Sequence, residues 1–148
     1  MLPHPKLWGV AVLFSAAVAC SPERYSNASF HLPPDGNVAE GKATFQQLGC
    51  HECHRVAGSG LPEPTMQQPV VVVLGGEVTD RPSDAYLVTS MIYPSYALAA
   101  YPKKQITTNG KSRMPTYADR MTARQMTDLV AFLQAHYTIP NLNPEYVH

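Results

Sequence analysis

Two thiols and two imidazoles fall within six residues of this chain, Gly49-Cys50-His51-Glu52-Cys53-His54. No other stretch constrains the fold as strongly, because the backbone must present Cys50 and Cys53 together and hold His54 beside them. The surrounding chain is ordinary: 45% hydrophobic and 15% charged over 148 residues, enough for one domain with a modest core. A formal net charge of zero argues against a nucleic-acid partner held on a broad cationic face.

The first residues read as a targeting segment. Lys6 and the amino terminus supply positive charge, and residues 7–19 carry none. About a dozen apolar residues are too few to span a bilayer but suit the core of a secretory signal. The small residues Ala17-Val18-Ala19 lead into Cys20, which resembles a bacterial lipobox with Ala17 where leucine is usual. Residues 1–19 are therefore expected to be a signal peptide of lipoprotein type, with Cys20 lipidated and the protein exported to the periplasm on a membrane anchor. Export leaves only Cys50 and Cys53, so the pair has a purpose other than a disulfide framework.

Residues 20–36 are polar, turn-rich and aperiodic, and are expected to be a flexible tether. A folded domain is expected over 37–138 and a tail over 139–148. The spacing predicts a helix over 38–48, capped by Asn37 and stopped by Gly49. Gly41 and Phe45 share one face of it, and a glycine there suggests close packing against another helix. A short helix is expected from Ser83 to Ile92, before Pro94. The last is expected from Thr122 to Tyr137, with Met126, Leu129, Val130 and Leu133 on its apolar stripe and a Thr122/Gln125 capping box. Val70 to Leu74 would suit a buried strand, but lacks an evident partner and reads as an extended apolar wall. Residues 93–117 read as a long loop.

Three chemistries compete for Cys50-X-X-Cys53-His54. Structural zinc needs about four ligands, and the outlying His31, His136 and His148 do not pair at ligand spacing. A thioredoxin-like dithiol wants the motif between a strand and a helix, whereas here a helix precedes it and a loop follows. Haem attachment accounts for the whole pentapeptide: each thiol adds to one porphyrin vinyl group, and the next histidine is held beneath the iron. On this reading His51 and Glu52 are spacers. A thioether sulfur on the opposite side could come from Met66, Met91, Met114, Met121 or Met126. Met91 and Met126 suit core packing better, Met66 would need a sharp turn, and Met114 has enough chain behind it to reach the far face. Pro115 would then orient that sulfur.

These features together resemble a class I c-type cytochrome of bacterial kind. The likeness covers roughly residues 37–138: Gly41 and Phe45 on the first helix, Cys50 to His54, Met114-Pro115, and Asp128 to Leu133 as "DLVAFL". It implies an all-α fold, with N- and C-terminal helices crossing and a further short helix and long loops around a single haem c. It implies that Cys50 and Cys53 form the thioethers and that His54 and Met114 are the axial iron ligands. Two features depart from the family. Its Gly-Pro after the motif, whose carbonyl holds the proximal histidine, has only Gly60-Leu61-Pro62, Pro64 and Pro69 as counterparts. Its tryptophan near a haem propionate is missing, leaving Arg81, Tyr117 or another tyrosine.

The implied function is one-electron transfer, not enzymatic turnover, by an anchored periplasmic carrier between redox proteins such as a dehydrogenase and a terminal oxidase or reductase. The alternative is a haem subunit of a multi-subunit oxidoreductase, for example one acting on an inorganic sulfur or nitrogen compound. Residues 101–124 hold six Lys/Arg and one Asp. If they border the haem edge, an acidic partner face would be steered there.

Overall fold

The structure, a computed structural model, describes residues 30–140. The expected signal peptide, Cys20 and most of the tail lie outside the described residues. In chain order come α1 (Val38–Gln47), a 3-10 turn (Cys50–Glu52), β1 (His54–Val56), β2 (Val72–Leu74), β3 (Gly76–Glu77) and α2 (Asp84–Ile92). α3 (Lys103–Ile106), β4 (Thr107–Thr108), β5 (Lys111–Ser112), α4 (Ala123–Gln134) and β6 (Tyr137–Thr138) follow.

The caps behave as their side chains dictate. The Asn37 side chain accepts from the Ala39 and Glu40 amides, satisfying two donors that a helix start leaves free. Ser83 accepts from the Tyr86 amide at the start of α2. At α4, Thr122 and Gln125 form the reciprocal capping box.

The core sits where α1 meets α4. Phe45, Leu129 and Phe132 are its most deeply buried large side chains, and the two phenylalanine rings meet tilted at 5.6 Å between centroids. Burying each such side chain contributes on the order of 1.5–3 kcal/mol. Close approach depends on Gly41: a Cβ there would run into the Asp128 carbonyl and lie 2.6 Å from Phe132 Cβ. The buried Asp128 carboxylate accepts the Asn37 amide at 2.8 Å, tying the start of α1 to α4. The described end of the expected tether, 30–36, lies against α4 and is not free. The Leu32 amide donates to Asp84, Asp35 pairs with Arg124 at 3.0 Å, and Gly36 fits against Ala131.

The all-α expectation holds for the helical frame and needs correcting around it. Among the described residues there are four α-helices and three two-stranded ladders. β1 and β2 pair in parallel, His54 with Val72 through Val56 with Leu74. The apolar wall is thus a strand after all, and its partner is the tripeptide that begins with the last residue of the cysteine motif. β3 pairs in parallel with β6, Gly76 opposite Tyr137. That ladder ends α4 at Gln134, short of the expected Tyr137, because the His136 carbonyl accepts the Gly76 amide at 2.8 Å instead of serving a helix. The long 93–117 loop contains α3 and an antiparallel hairpin, β4–β5. Its two-residue turn, Asn109-Gly110, has φ of 50° and 76°, the mirror-image turn that matches strand twist.

Candidate functional site

Leaving α1, the chain turns through Gly49 at φ 73° into the 3-10 turn that carries the cysteines. A side chain on Gly49 would find ordinary contacts, so the left-handed backbone accounts for the glycine. The Cys53 amide bonds to the Cys50 carbonyl at 3.2 Å, closing the turn so that both thiols come from one short loop. Both are free of disulfides. The buried Cys50 thiol is pushed up to about 11 by desolvation, against weaker opposing hydrogen bonds that include one with Tyr117. Burial, and then the Glu52 charge, also raises Cys53.

β1 begins at His54 and sets the imidazole. Its Nδ1 lies 3.2 Å from the Val72 carbonyl, its ladder partner. Burial lowers the His54 pKa, outweighing that hydrogen bond, so the neutral ring is favoured. A neutral ring donating from Nδ1 keeps its lone pair on Nε2, the form a metal requires. The carbonyl that holds the His54 ring is therefore a strand carbonyl, Val72, and not one beside Pro62, Pro64 or Pro69. Pairing of Val72–Leu74 with the motif's own end was the missed signal.

Met114 lies half-buried against the core, on the loop between β5 and α4. Its shoulders are pinned: the Ser112 amide donates to Ser95 Oγ at 3.1 Å, and Thr116 Oγ donates to the Ile92 carbonyl at 2.7 Å. Three residues past Met114, the buried Tyr117 bonds through its amide to the Met91 carbonyl and through its hydroxyl to the Leu48 carbonyl. The same tyrosine reaches the Cys50 thiol. Sequentially remote, the methionine loop and the cysteine turn are thus joined at Tyr117.

The rival sulfurs lie elsewhere. The Met66 amide bonds to the Glu52 carbonyl, and its sulfur lies 3.4 Å from Cys53 Sγ, beside the attachment turn itself. Met91 is core, and Met121 and Met126 pack against it. Arg81 donates to the Tyr137 carbonyl at 3.0 Å. Among the described residues, no three of His, Cys, Asp and Glu gather as a set for a bare metal ion.

The donor set fits haem: two adjacent free thiols, an imidazole whose Nδ1 is already held, and a soft sulfur on a loop tied to the same turn. A small helical domain built round such a turn is that of a covalent haem protein. Residues 38–136 match the Cytochrome c family model, and the chain belongs to that family. No curated protein and no solved structure matches it. The family binds haem c covalently and works in electron transfer, and Cys50 and Cys53 stand in its CXXCH position for one such group.

Proposed function

We propose that this protein is an exported one-electron carrier with Cys50 and Cys53 as the thioether anchors and His54 and Met114 as the axial ligands. The observation that carries the assignment is the Tyr117 link, which fastens the Met114 loop to the Leu48 carbonyl, two residues before Cys50. It favours Met114 over Met66, which sits beside Cys53 at the attachment turn itself, its amide held by the Glu52 carbonyl. When bound, haem c supplies an Fe(II)/Fe(III) couple. The chain's own groups do the rest. Val72 fixes the orientation of His54 and strengthens it as a donor. The thioether of Met114 favours the reduced state and raises the potential. The ladder under His54 and the bonds of Ser112, Thr116 and Tyr117 around Met114 hold both ligand segments as charge changes, so little reorganisation accompanies transfer.

Replacing Met114 with alanine tests the distal assignment. The methionine-to-iron absorption band of the haem-loaded protein disappears and the potential falls. An unaltered band in the variant refutes the ligand. The anchor is read from Ala17-Val18-Ala19-Cys20. A Cys20→Ser chain is expected in the soluble periplasmic fraction, while the unsubstituted chain sediments with membranes and carries an acylated N-terminal cysteine by mass spectrometry. Its redox partners on this reading are a dehydrogenase and a terminal oxidase or reductase.

A further inference from the structure

The 34 residues from 85 to 118 contain four Lys/Arg and no Asp or Glu. None of those four, Lys103, Lys104, Lys111 and Arg113, enters an ion pair; among the described residues only Arg55 and Arg124 do. In the same segment two tyrosines stand out from the surface, Tyr93 at 60% and Tyr96 at 76% exposure. Their rings stack at 5.8 Å with 23° between planes.

This pair is built into the fold. The Tyr96 amide bonds to the Tyr93 carbonyl at 2.9 Å, the Tyr93 amide closes α2 on the Thr89 carbonyl, and Pro94 is buried between the rings' backbones. Ser95, between them, accepts the Ser112 amide, and Ile92, just before them, accepts the Thr116 hydroxyl. Those are the two shoulders of the Met114 loop. Lys111 and Arg113 flank Ser112 directly. An ordered aromatic pair therefore projects beside the methionine loop, with the unpaired Lys111 and Arg113 on either side of the residue that ties that loop to Ser95.

We propose that Tyr93 and Tyr96 are the apolar centre of the docking surface for the redox partner, an acidic protein face that meets them with its carboxylates around the rim. The inference rests on the haem electron-transfer reading and deepens it. Rigid aromatic rings supply contact area at little entropic cost, and exposed apolar surface rimmed by charge marks an interaction site. The cations would steer the approach, while the tyrosines would set how long the complex lasts. Contact here would bring the partner against the loop that carries the distal ligand.

The test uses the haem-loaded chain, reduced beforehand to the ferrous state, and, as electron acceptor, an oxidised cupredoxin with a carboxylate patch, with second-order electron transfer followed by stopped flow. A Tyr93→Ser/Tyr96→Ser chain is expected to react about tenfold more slowly at low salt. Its potential, its methionine-to-iron band and its rate with hexacyanoferrate(III) stay as they were. Lys111→Gln lowers the low-salt rate and flattens its dependence on ionic strength. Tyr86→Ser, another exposed tyrosine, leaves the rate unchanged. A tyrosine variant reacting within about twofold of the unsubstituted chain overturns the proposal. So does a dimer in sedimentation that the same substitution dissolves, or tyrosine-dependent binding to phosphatidylserine vesicles. An unsubstituted chain that exchanges no electron even with hexacyanoferrate(III) would instead sink the electron-transfer reading itself.

Discussion

The Nδ1 atom of His54 lies 3.2 Å from the carbonyl oxygen of Val72, eighteen residues further along the chain. Because the two residues are also paired in the parallel ladder, the register of β1 on β2 decides which carbonyl the imidazole meets. A hydrogen bond from Nδ1 makes the ring a stronger donor and so favours the oxidised metal. A Val73→Pro chain, with a proline in the middle of β2, is expected to loosen that contact and shift the potential upward. The His54 Nδ1 proton, slow to exchange in the unsubstituted protein by NMR, would then exchange fast. An unchanged potential with fast exchange would show that the contact does not tune the couple.

Gly41→Ala tests the packing of α1 on α4. Alanine improves helix propensity by roughly 1 kcal/mol, yet its Cβ has no room against Asp128 and Phe132. Backbone stands in the way, so the helices must part, and a net loss of about 2 kcal/mol is expected in chemical denaturation. A variant as stable as the parent would mean that α1 can shift without cost.

Asp128 and Arg124 separate buried from exposed electrostatics. The buried Asp128 carboxylate holds the Asn37 amide at 2.8 Å, so Asp128→Ala strands a donor at the helix junction and should cost roughly 1–3 kcal/mol. Arg124 pairs with Asp35 on the exposed surface and reaches Asp128 only at 4.0 Å, so Arg124→Ala should cost far less than Asp128→Ala. Equal losses from the two would contradict this ranking.

A pH dependence follows from Cys50 in the haem-free chain, where the thiol is intact. Burial raises it from 9.0 to about 11. Between those values the folded chain keeps a proton that the unfolded chain gives up. The stability present below pH 9 is therefore lost as pH rises through the window, by up to about 2–3 kcal/mol. Urea unfolding at pH about 8 and about 10.5 measures it, with Cys50→Ala as the comparison, since Tyr117 and Tyr137 are raised by burial as well. An equal slope in the alanine chain would exclude Cys50 as the source.

What lay open in the chain was local. Asn37, Ser83 and Thr122 announced their helices because a cap is satisfied within three residues. The glycine on the first helix pointed to a close neighbour because nothing else explains it there. Cys50, Cys53 and His54 declared a covalent attachment turn because their spacing is itself the geometry. The hairpin at Asn109-Gly110 went unread inside the expected 93–117 loop, because its strands are too short to carry a periodic signal.

What the fold alone decided depends on backbone groups, which every residue has and no residue type advertises. The partner of Val72 is the end of the cysteine motif, and only pairing in space could choose its carbonyl over those near three prolines. The last helix stopped three residues early because Gly76 needed the His136 carbonyl. Tyr117 joined the methionine loop to the Leu48 carbonyl just ahead of the cysteine turn, and Ser95 and Ile92 brought two tyrosines beside that loop, through bonds between residues far apart in the chain. Sequence by itself offered the candidate donors of this site, since their chemistry resides in side chains. Tertiary structure settled what holds and surrounds them, since long-range hydrogen bonds are selected by the packing of the whole domain.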